Sequence, residues 1–518
     1  MNSSVYTKSW VVELMLDLIG YVPGNNISKK IIVEPACGAG SFLISIARRL
    51  SEEVKNQGLS WNSIAESVKA YEISQESATK AIAAVTSTLV QNGCPSLFAY
   101  SIANSWIKNE DFILSKNNKC AYVVGNPPYV RSAEIDNATR KLYIESLTSF
   151  TSGCDLYISF FDKGLDMLSE DGKLCYICSD RWMQNKYGSK LRKKINNKFN
   201  LSMLIRMHDV DVFEKCVSTY PSITIISNNH SSNKLCYIDC SNELSEFDTL
   251  GIINKTNTDK IKIHEIDRPV SDEVYNLGNP EQLSYISEMT RNLPKIEDTG
   301  INIGIGIATG CDSVFIIDDC TMIEPSRLLP IFIMRDYRKN IHTKKWLINP
   351  WNDDGTLVDL EEFPLLKNYL FLHADKLKNR YIAKKNKYAW YRTIDKINKN
   401  IINRDLLLIP DLAQEPDPVL VNGYYPHHNC YWICSDTWDI HALGGIIMSE
   451  TIRNFIGSKC VKMRGGTLRF QAQYLRMLHI PRYESIRNDV IHGLAQAFSM
   501  KDKKMASYYT DIAYREAL

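Results

Sequence analysis

The sequence predicts an α/β protein in two parts. Residues 1–235 read as a doubly wound, Rossmann-like, mostly parallel sheet, residues 236–295 as a polar connector, and residues 296–518 as a second, mixed α/β domain. Three observations predict this. Short β-branched runs alternate with segments whose apolar residues recur at helical spacing, the pattern of βαβ units. Those runs end in glycine, proline or a single acid, the turn chemistry found where parallel strands hand over to helices. Beyond residue 296 the texture shifts to short apolar runs, Trp and Tyr, glycine turns and clustered Lys and Arg.

Taken in order, "SWVVELMLDLIGYV" is an amphipathic helix, and "KIIVEPACGAG" is a short strand running into glycines. "SFLISIARRLSEEV" is helical, "VKAYEIS" a strand with a terminal acid, and "QESATKAIAAVTSTLVQNG" a helix with a glycine stop. "AYVVGNPPY" is a third strand, cut off by two prolines that forbid both strand continuation and helix entry. "DLYISFFDKGLDMLSEDGKLCYICSD" reads as helix, Asp-Gly turn and strand, and "VSTYPSITIISN" as a late strand near the sheet edge. In such sheets ligands sit at the carboxyl ends of the strands, where the motifs below fall.

Composition excludes several classes. Hydrophobic residues make up 44% and charged residues 23%, ordinary for a globular protein, and a net charge of +2 means that any nucleic-acid surface is local. No apolar run reaches the ~20 residues of a membrane span, and the opening "MNSSVYTKSW" lacks the pattern of a signal peptide. Fourteen scattered cysteines form no disulfide framework and point to a reducing, cytoplasmic setting. Cys175 and Cys178 lie three apart on a strand, so they face opposite ways; Cys236 and Cys240 share a face but stand ~13 Å apart. Neither pair suits a metal, and no metal site is expected.

The strand ends carry the chemistry. In "VEPACGAGSF" Gly38 and Gly40 let the backbone approach a ligand, but the third glycine of a dinucleotide fingerprint is replaced by Leu43, and no phosphate-loop lysine follows. Glu34 ends that strand. Glu72, in "AYEIS" before Ile73, ends the next, where a carboxylate can accept both hydroxyls of a ribose. In "NEDF" Asp111 can accept from an adenine amino group while Phe112 covers the ring. With no basic phosphate grip, a ribose, an adenine and a cationic tail describe S-adenosylmethionine, with S-adenosylhomocysteine as product. Asn126-Pro127-Pro128-Tyr129 follows at the third strand end: an amide, a rigid turn and an aromatic ring.

On these motifs the first ~235 residues resemble the amino-methyltransferase group of DNA methyltransferases, with a class I methyltransferase fold. Their order resembles the TaqI-type, gamma-class, adenine-N6 enzymes of restriction-modification systems. "YTK" (Tyr6, Thr7, Lys8) matches the leading cofactor motif, and "EPACGAGSF", with Glu34, Pro35, Ala36, Cys37, Gly38, Gly40 and Phe42, the glycine motif. "NPPY" matches the catalytic motif, and "DVFEKCVSTYPSITII" a later one whose phenylalanine, here Phe213, packs on the target base. The resemblance implies methyl transfer to the amino group of an adenine flipped out of double-stranded DNA, with Tyr129 stacked on that base. It further implies a separately encoded restriction endonuclease as partner. With its motifs beginning at Tyr6, the sequence is expected to carry no cleavage domain ahead of them. Amino-cytosine, RNA and protein-glutamine methyltransferases share related tetrapeptides, and a DNA-binding subunit with a vestigial catalytic fold is a further alternative.

The second domain adds two basic clusters interleaved with aromatics. Lys384, Lys385, Lys387 and Arg392 lie in one, near Tyr381, Tyr388 and Trp390; Lys462, Arg464 and Arg469 lie in the other. Beside such a catalytic domain they are expected to contact DNA phosphates and to carry target recognition.

Overall fold

The computed structural model describes residues 5–116, 118–151, 153–208, 210–215, 220–229, 233–269, 275, 280–341, 343–460 and 467–518. The chain divides into two compact units, Met1–Pro280 and Glu281–Leu518.

The first unit is built on nine strands: β1 (Ile32–Glu34), β2 (Val68–Tyr71), β3 (Ile107–Lys108), β4 (Cys120–Gly125), β5 (Leu168–Ser179), β6 (Asn200–Arg206), β7 (Pro221–Ser227), β8 (Lys234–Cys240) and β9 (Ile261–Asp267). Their order across the sheet is β3-β2-β1-β4-β5-β7-β6-β8-β9. The pairs from β3 to β5 are all parallel, while β7 runs antiparallel to both β5 and β6. Strand order reverses at β1, which has β2 on one side and β4 on the other, and this switch point opens a crevice at the strand carboxyl ends.

Both faces are covered, as a parallel sheet requires. Ile32, Tyr122, Val124, Cys175 and Ile177 pack into one core; Val33, Val123, Leu174, Tyr176 and Cys178 pack into the other. Cys175 and Cys178 therefore do face opposite ways, and every described cysteine is a free thiol. Helices α1 (Ser9–Ile19), α2 (Ser41–Gln57), α3 (Gln75–Gln91) and α4 (Ser96–Trp106) serve the first core; α5 (Asn137–Ser146) and α6 (Tyr157–Met167) serve the second. α1 stops at Gly20, whose φ of 79° lets its N–H close back onto Asp17 and Leu16.

Two expectations need correction. Residues 234–267 are not a connector: β8 and β9 extend the sheet, and the units meet at 280/281 rather than at 235 and 296. The segment reads as polar because β9, "IKIHEID", is mostly polar at the sheet edge, and its isoleucines divide between the two faces, Ile261 and Ile263 on one and Ile266 on the other. The strand in "YPSITIIS" does not lie near an edge. β7 sits between β5 and β6 and is buried along its whole length, which its unbroken β-branched run suits.

The second unit is mixed α/β. An antiparallel sheet joins Ile301–Ile305, Cys430–Ser435, Leu406–Pro410 and Val419–Val421; a second sheet joins Ile316–Ile317, Trp346–Ile348, Leu328–Phe332 and Tyr425–Pro426. Helices Ile440–Ile447, Asn488–Met500 and Lys503–Ala517 form a separate layer. Gly445 is required there, since a Cβ would lie 2.4 Å from the Leu494 carbonyl oxygen. Among the described residues no helix is long and apolar enough to cross a membrane.

Candidate active site

A cavity of about 680 Å³ opens at the carboxyl ends of β1, β2 and β4. The sequence-predicted cofactor and catalytic residues line it, with two exceptions, Gly40 and Phe213. Gly40 caps the start of α2 at φ 97°, with Ala81 of α3 only 3.4 Å from where its Cβ would be; it serves helix packing. Phe213 is 5% exposed and belongs to the core. Its backbone bridges to Thr7, flanked by Lys8 N–H donating to Val212 O (3.0 Å) and Glu214 N–H donating to Tyr6 O (2.9 Å). The segment after Phe213 in the same motif, residues 216–219, lies outside the described residues.

The leading segment reaches the Asn126-Pro127-Pro128-Tyr129 turn through this bridge. The Asn126 Nδ2 donates to Val5 O (3.1 Å) and to Thr7 Oγ1 (3.3 Å). A backbone carbonyl can only accept, so the amide nitrogen must face Val5 and the oxygen is turned the other way. That oxygen, Oδ1, is buried and has no protein partner. Pro127 is buried, and the Tyr129 hydroxyl is likewise buried without a partner, so burial pushes its pKa well up. Tyr129 is thus enclosed at its polar end and held as neutral phenol.

Five carboxylates line the cavity: Glu34, Glu72, Glu110, Asp111 and Glu134. Glu72 accepts from the Gly38 N–H (2.9 Å) and the Ser74 N–H (2.8 Å), one bond on each oxygen. Asp111 accepts from the Ile113 N–H (2.8 Å) and the Tyr143 hydroxyl (2.6 Å). Phe112 stacks on Phe160 at 5.4 Å and meets Tyr71 edge-on, a slab of aromatic surface beside Asp111. Glu34 is 2% exposed and its Oε2 has no partner. Burial, and then the charge of Glu72, pushes its pKa well above the carboxylate range.

Two expected results follow from this geometry. Because the folded Glu34 binds its proton more tightly than an unfolded glutamate, it holds a proton that the unfolded chain has released above pH ~4.3. Stability of the ligand-free protein therefore falls as pH rises through the window between that value and the raised one. Glu34→Gln should flatten this fall, read as unfolding temperature against pH; parallel curves would refute the assigned protonation. Gly38 sits at φ 54° and a Cβ there would come 3.2 Å from the Tyr6 ring. Gly38→Ala should cost about 1 kcal/mol in stability and displace Tyr6, weakening cofactor affinity several-fold in calorimetry. An unchanged affinity would show that Tyr6 is dispensable.

Sequence reasoning passed over Tyr143, Phe160 and the Val5 carbonyl. Tyr143 is the one buried residue of a largely polar helix, Phe160 sits on a helix whose apolar spacing reads as ordinary core, and a backbone carbonyl leaves no mark in a sequence.

In the second unit Lys384, Lys385 and Lys387 are exposed, with Lys385 over the Tyr381 ring at 4.8 Å. Tyr388 beside them is 95% exposed. Arg392 donates to the Thr393 and Ile394 carbonyls and stacks over Trp351. Arg380, by contrast, spends its guanidinium on the carbonyls of Leu377, Thr309, Trp390 and Arg392, and so organises the segment from within. Arg469 is half-buried on a two-residue strand paired with Leu412–Ala413. Lys462 and Arg464 lie outside the described residues.

Residues 46–213 match the family described as Eco57I restriction-modification methylase. Over 515 residues the chain is 34% identical to the type II methyltransferase M.PaeR7I of Pseudomonas aeruginosa, covering 97% of this chain and 89% of that protein. Over 525 residues it is 33% identical to the type II methyltransferase M.XhoI of Xanthomonas vasicola, covering 98% of this chain and 96% of that protein. Its fold is similar to that of the type IIL restriction-modification enzyme MmeI, solved in complex with DNA, with a TM-score of 0.61 at 13% identity over 98% of this chain and 72% of that one. Full-length identity of this order, with the cavity built on the motifs of that chemistry, places the chain in the family of type II methyltransferases of restriction-modification systems to which M.PaeR7I and M.XhoI belong.

Proposed function

We propose that the chain transfers a methyl group from S-adenosylmethionine to the exocyclic amino nitrogen of an adenine rotated out of duplex DNA, and that it protects DNA alongside a separately encoded endonuclease. The observation that carries this reading is the Asn126 Oδ1: a buried acceptor, fixed in orientation, facing away from the groups that hold its nitrogen.

The cavity suits the cofactor. Among its described lining residues there is no lysine or arginine, while Glu34, Glu72 and Asp111 converge there, which favours a cation with hydroxyl and amino donors over a phosphate. Glu72 would take the ribose, Asp111 and Phe112 the adenine, and Tyr6, Thr7 and Glu34 the methionine end. When bound, the cofactor supplies an electrophilic methyl group on a sulfonium centre. The protein's task lies on the other side of the reaction. An aromatic amino nitrogen is a poor nucleophile because its lone pair is conjugated into the ring. Asn126 Oδ1 would accept one amino hydrogen and the Pro127 carbonyl the other, favouring a pyramidal nitrogen whose lone pair is free to attack. The same oxygens stabilise the positive charge that grows on nitrogen. The aromatic face of Tyr129 would hold the base at that turn.

Base-resolved sequencing of DNA from cells expressing the protein tests the reading. N6-methyladenine at one recurring motif is the expected result; N4-methylcytosine, or no mark, would overturn it.

The exposed lysines of the second unit are assigned to phosphate contact, which sets affinity without choosing sequence. The double change Lys384→Ala with Lys385→Ala should weaken binding about equally on cognate and random duplexes. The logarithmic salt slope should become shallower by ~0.9 for each phosphate that the variant no longer neutralises. An unchanged slope would remove these lysines from the interface.

A further inference from the structure

We propose that Asp312, His427 and His428 form a binding site for a divalent metal ion of the zinc class in the second unit. A carboxylate oxygen of Asp312 and one ring nitrogen of each histidine all lie within 4.8 Å of one another. Around an ion with bonds of ~2.1 Å, tetrahedral donors stand ~3.4 Å apart, a gap that side-chain rotation closes.

The arrangement is built rather than incidental. His427 is 4% exposed and follows the strand Tyr425–Pro426. In an extended strand neighbouring side chains point apart. Here the chain turns, and the two imidazoles stand side by side with centroids 4.1 Å apart. The turn is strapped to residues 306–312: His428 N–H donates to Ile307 O (3.1 Å), Ile307 bridges His427, and Gly306 lies so close that a Cβ would fall 2.1 Å from the His427 carbonyl oxygen. That close approach sets Asp312 against His427, Oδ2 to Nε2 at 3.0 Å, while Thr309 Oγ1 donates to Asp312 Oδ1 (2.5 Å) and fixes the carboxylate. Second-sphere support of this kind is what orients a metal-binding carboxylate.

A plain aspartate–histidine pair accounts for less. It satisfies His427 Nε2 but leaves the Nδ1 atoms of both His427 and His428 buried without partners. Two imidazoles and a carboxylate form a ligand set for zinc-class ions, with at least one position left for water.

The site would brace the basic segment. Ala308 N–H donates to Asp395 Oδ2 (2.9 Å), Arg380 Nη1 to Thr309 O (3.1 Å), and Lys376 Nζ to Ser313 Oγ (2.6 Å), so residues 307–313 form the floor on which that segment rests.

The test uses the full chain without a polyhistidine tag. Elemental analysis after expression with added zinc, and Co²⁺ titration of the stripped protein, should give one equivalent per chain and visible d–d bands that Zn²⁺ bleaches. Asp312→Asn and the half-buried His428→Gln should each weaken Co²⁺ binding at least ten-fold, and Zn²⁺ should raise the unfolding temperature of the wild type alone. Substoichiometric metal with no Co²⁺ bands in the wild type overturns the site whether or not the variants fold. Folded variants that bind as tightly as the wild type overturn it equally.

Discussion

Asn126→Ala is expected to lower methyl transfer by ~10²–10³ while leaving cofactor affinity within a few-fold, since that is the typical loss when one preorganised acceptor is removed from a transition state. The two Nδ2 bonds to Val5 and Thr7 hold the side chain before substrate arrives, so the acceptor needs no reorganisation at the moment of transfer. Alanine deletes the acceptor and leaves a small cavity. Aspartate is a poorer probe, because its second oxygen would face the Val5 carbonyl with no hydrogen to share. Thr7→Val removes one of the two orienting bonds and should give a smaller loss in the same direction. Single-turnover rates with a radiolabelled methyl donor, beside calorimetry of cofactor binding, separate the outcomes. Near-normal transfer would remove Asn126 from the chemistry, and lost cofactor binding would make it part of the pocket instead.

What the sequence discloses follows from where chemistry constrains residue type. The glycine turn after β1, the acid after β2 and the Asn-Pro-Pro-Tyr turn after β4 each demand particular residues beside a hydrophobic strand, so they can be read, and the cavity lies at those three strand ends. β8 and β9 were hidden because the edge strand β9 is mostly polar, so composition reads the whole stretch as a linker, although β8 itself lies paired between β6 and β9. Phe213 illustrates a different limit. Its motif reads as a base contact, but in the structure its backbone bridges Thr7 and its ring is core, a division of labour between main chain and side chain that residue identity cannot express. Asp312 and His427 stand 115 positions apart, so no spacing rule links them; only the strapping of residues 306–312 onto the turn after Pro426 brings them together.

Glu72→Ala is expected to weaken S-adenosylmethionine binding ten- to a hundred-fold, as hydrogen bonds to a carboxylate are worth ~1.5–3 kcal/mol and each ~1.4 kcal/mol is a factor of ten. A carboxylate offers about four lone-pair directions. Gly38 and Ser74 occupy one on each oxygen, which locks the group to the turn and leaves the others for the ribose. The competing explanation is simple attraction between a carboxylate and a cationic ligand. Adenosine separates them, being neutral but carrying the same ribose. If Glu72 grips the ribose, adenosine should lose affinity by about the same factor as S-adenosylmethionine, and Glu72→Gln, which keeps one acceptor oxygen, should recover part of the loss for both. If only the cationic ligand weakens, Glu72 acts through charge, and the ribose must be held by another of the cavity's acceptors, of which Glu34 Oε2 is buried and free of any protein partner.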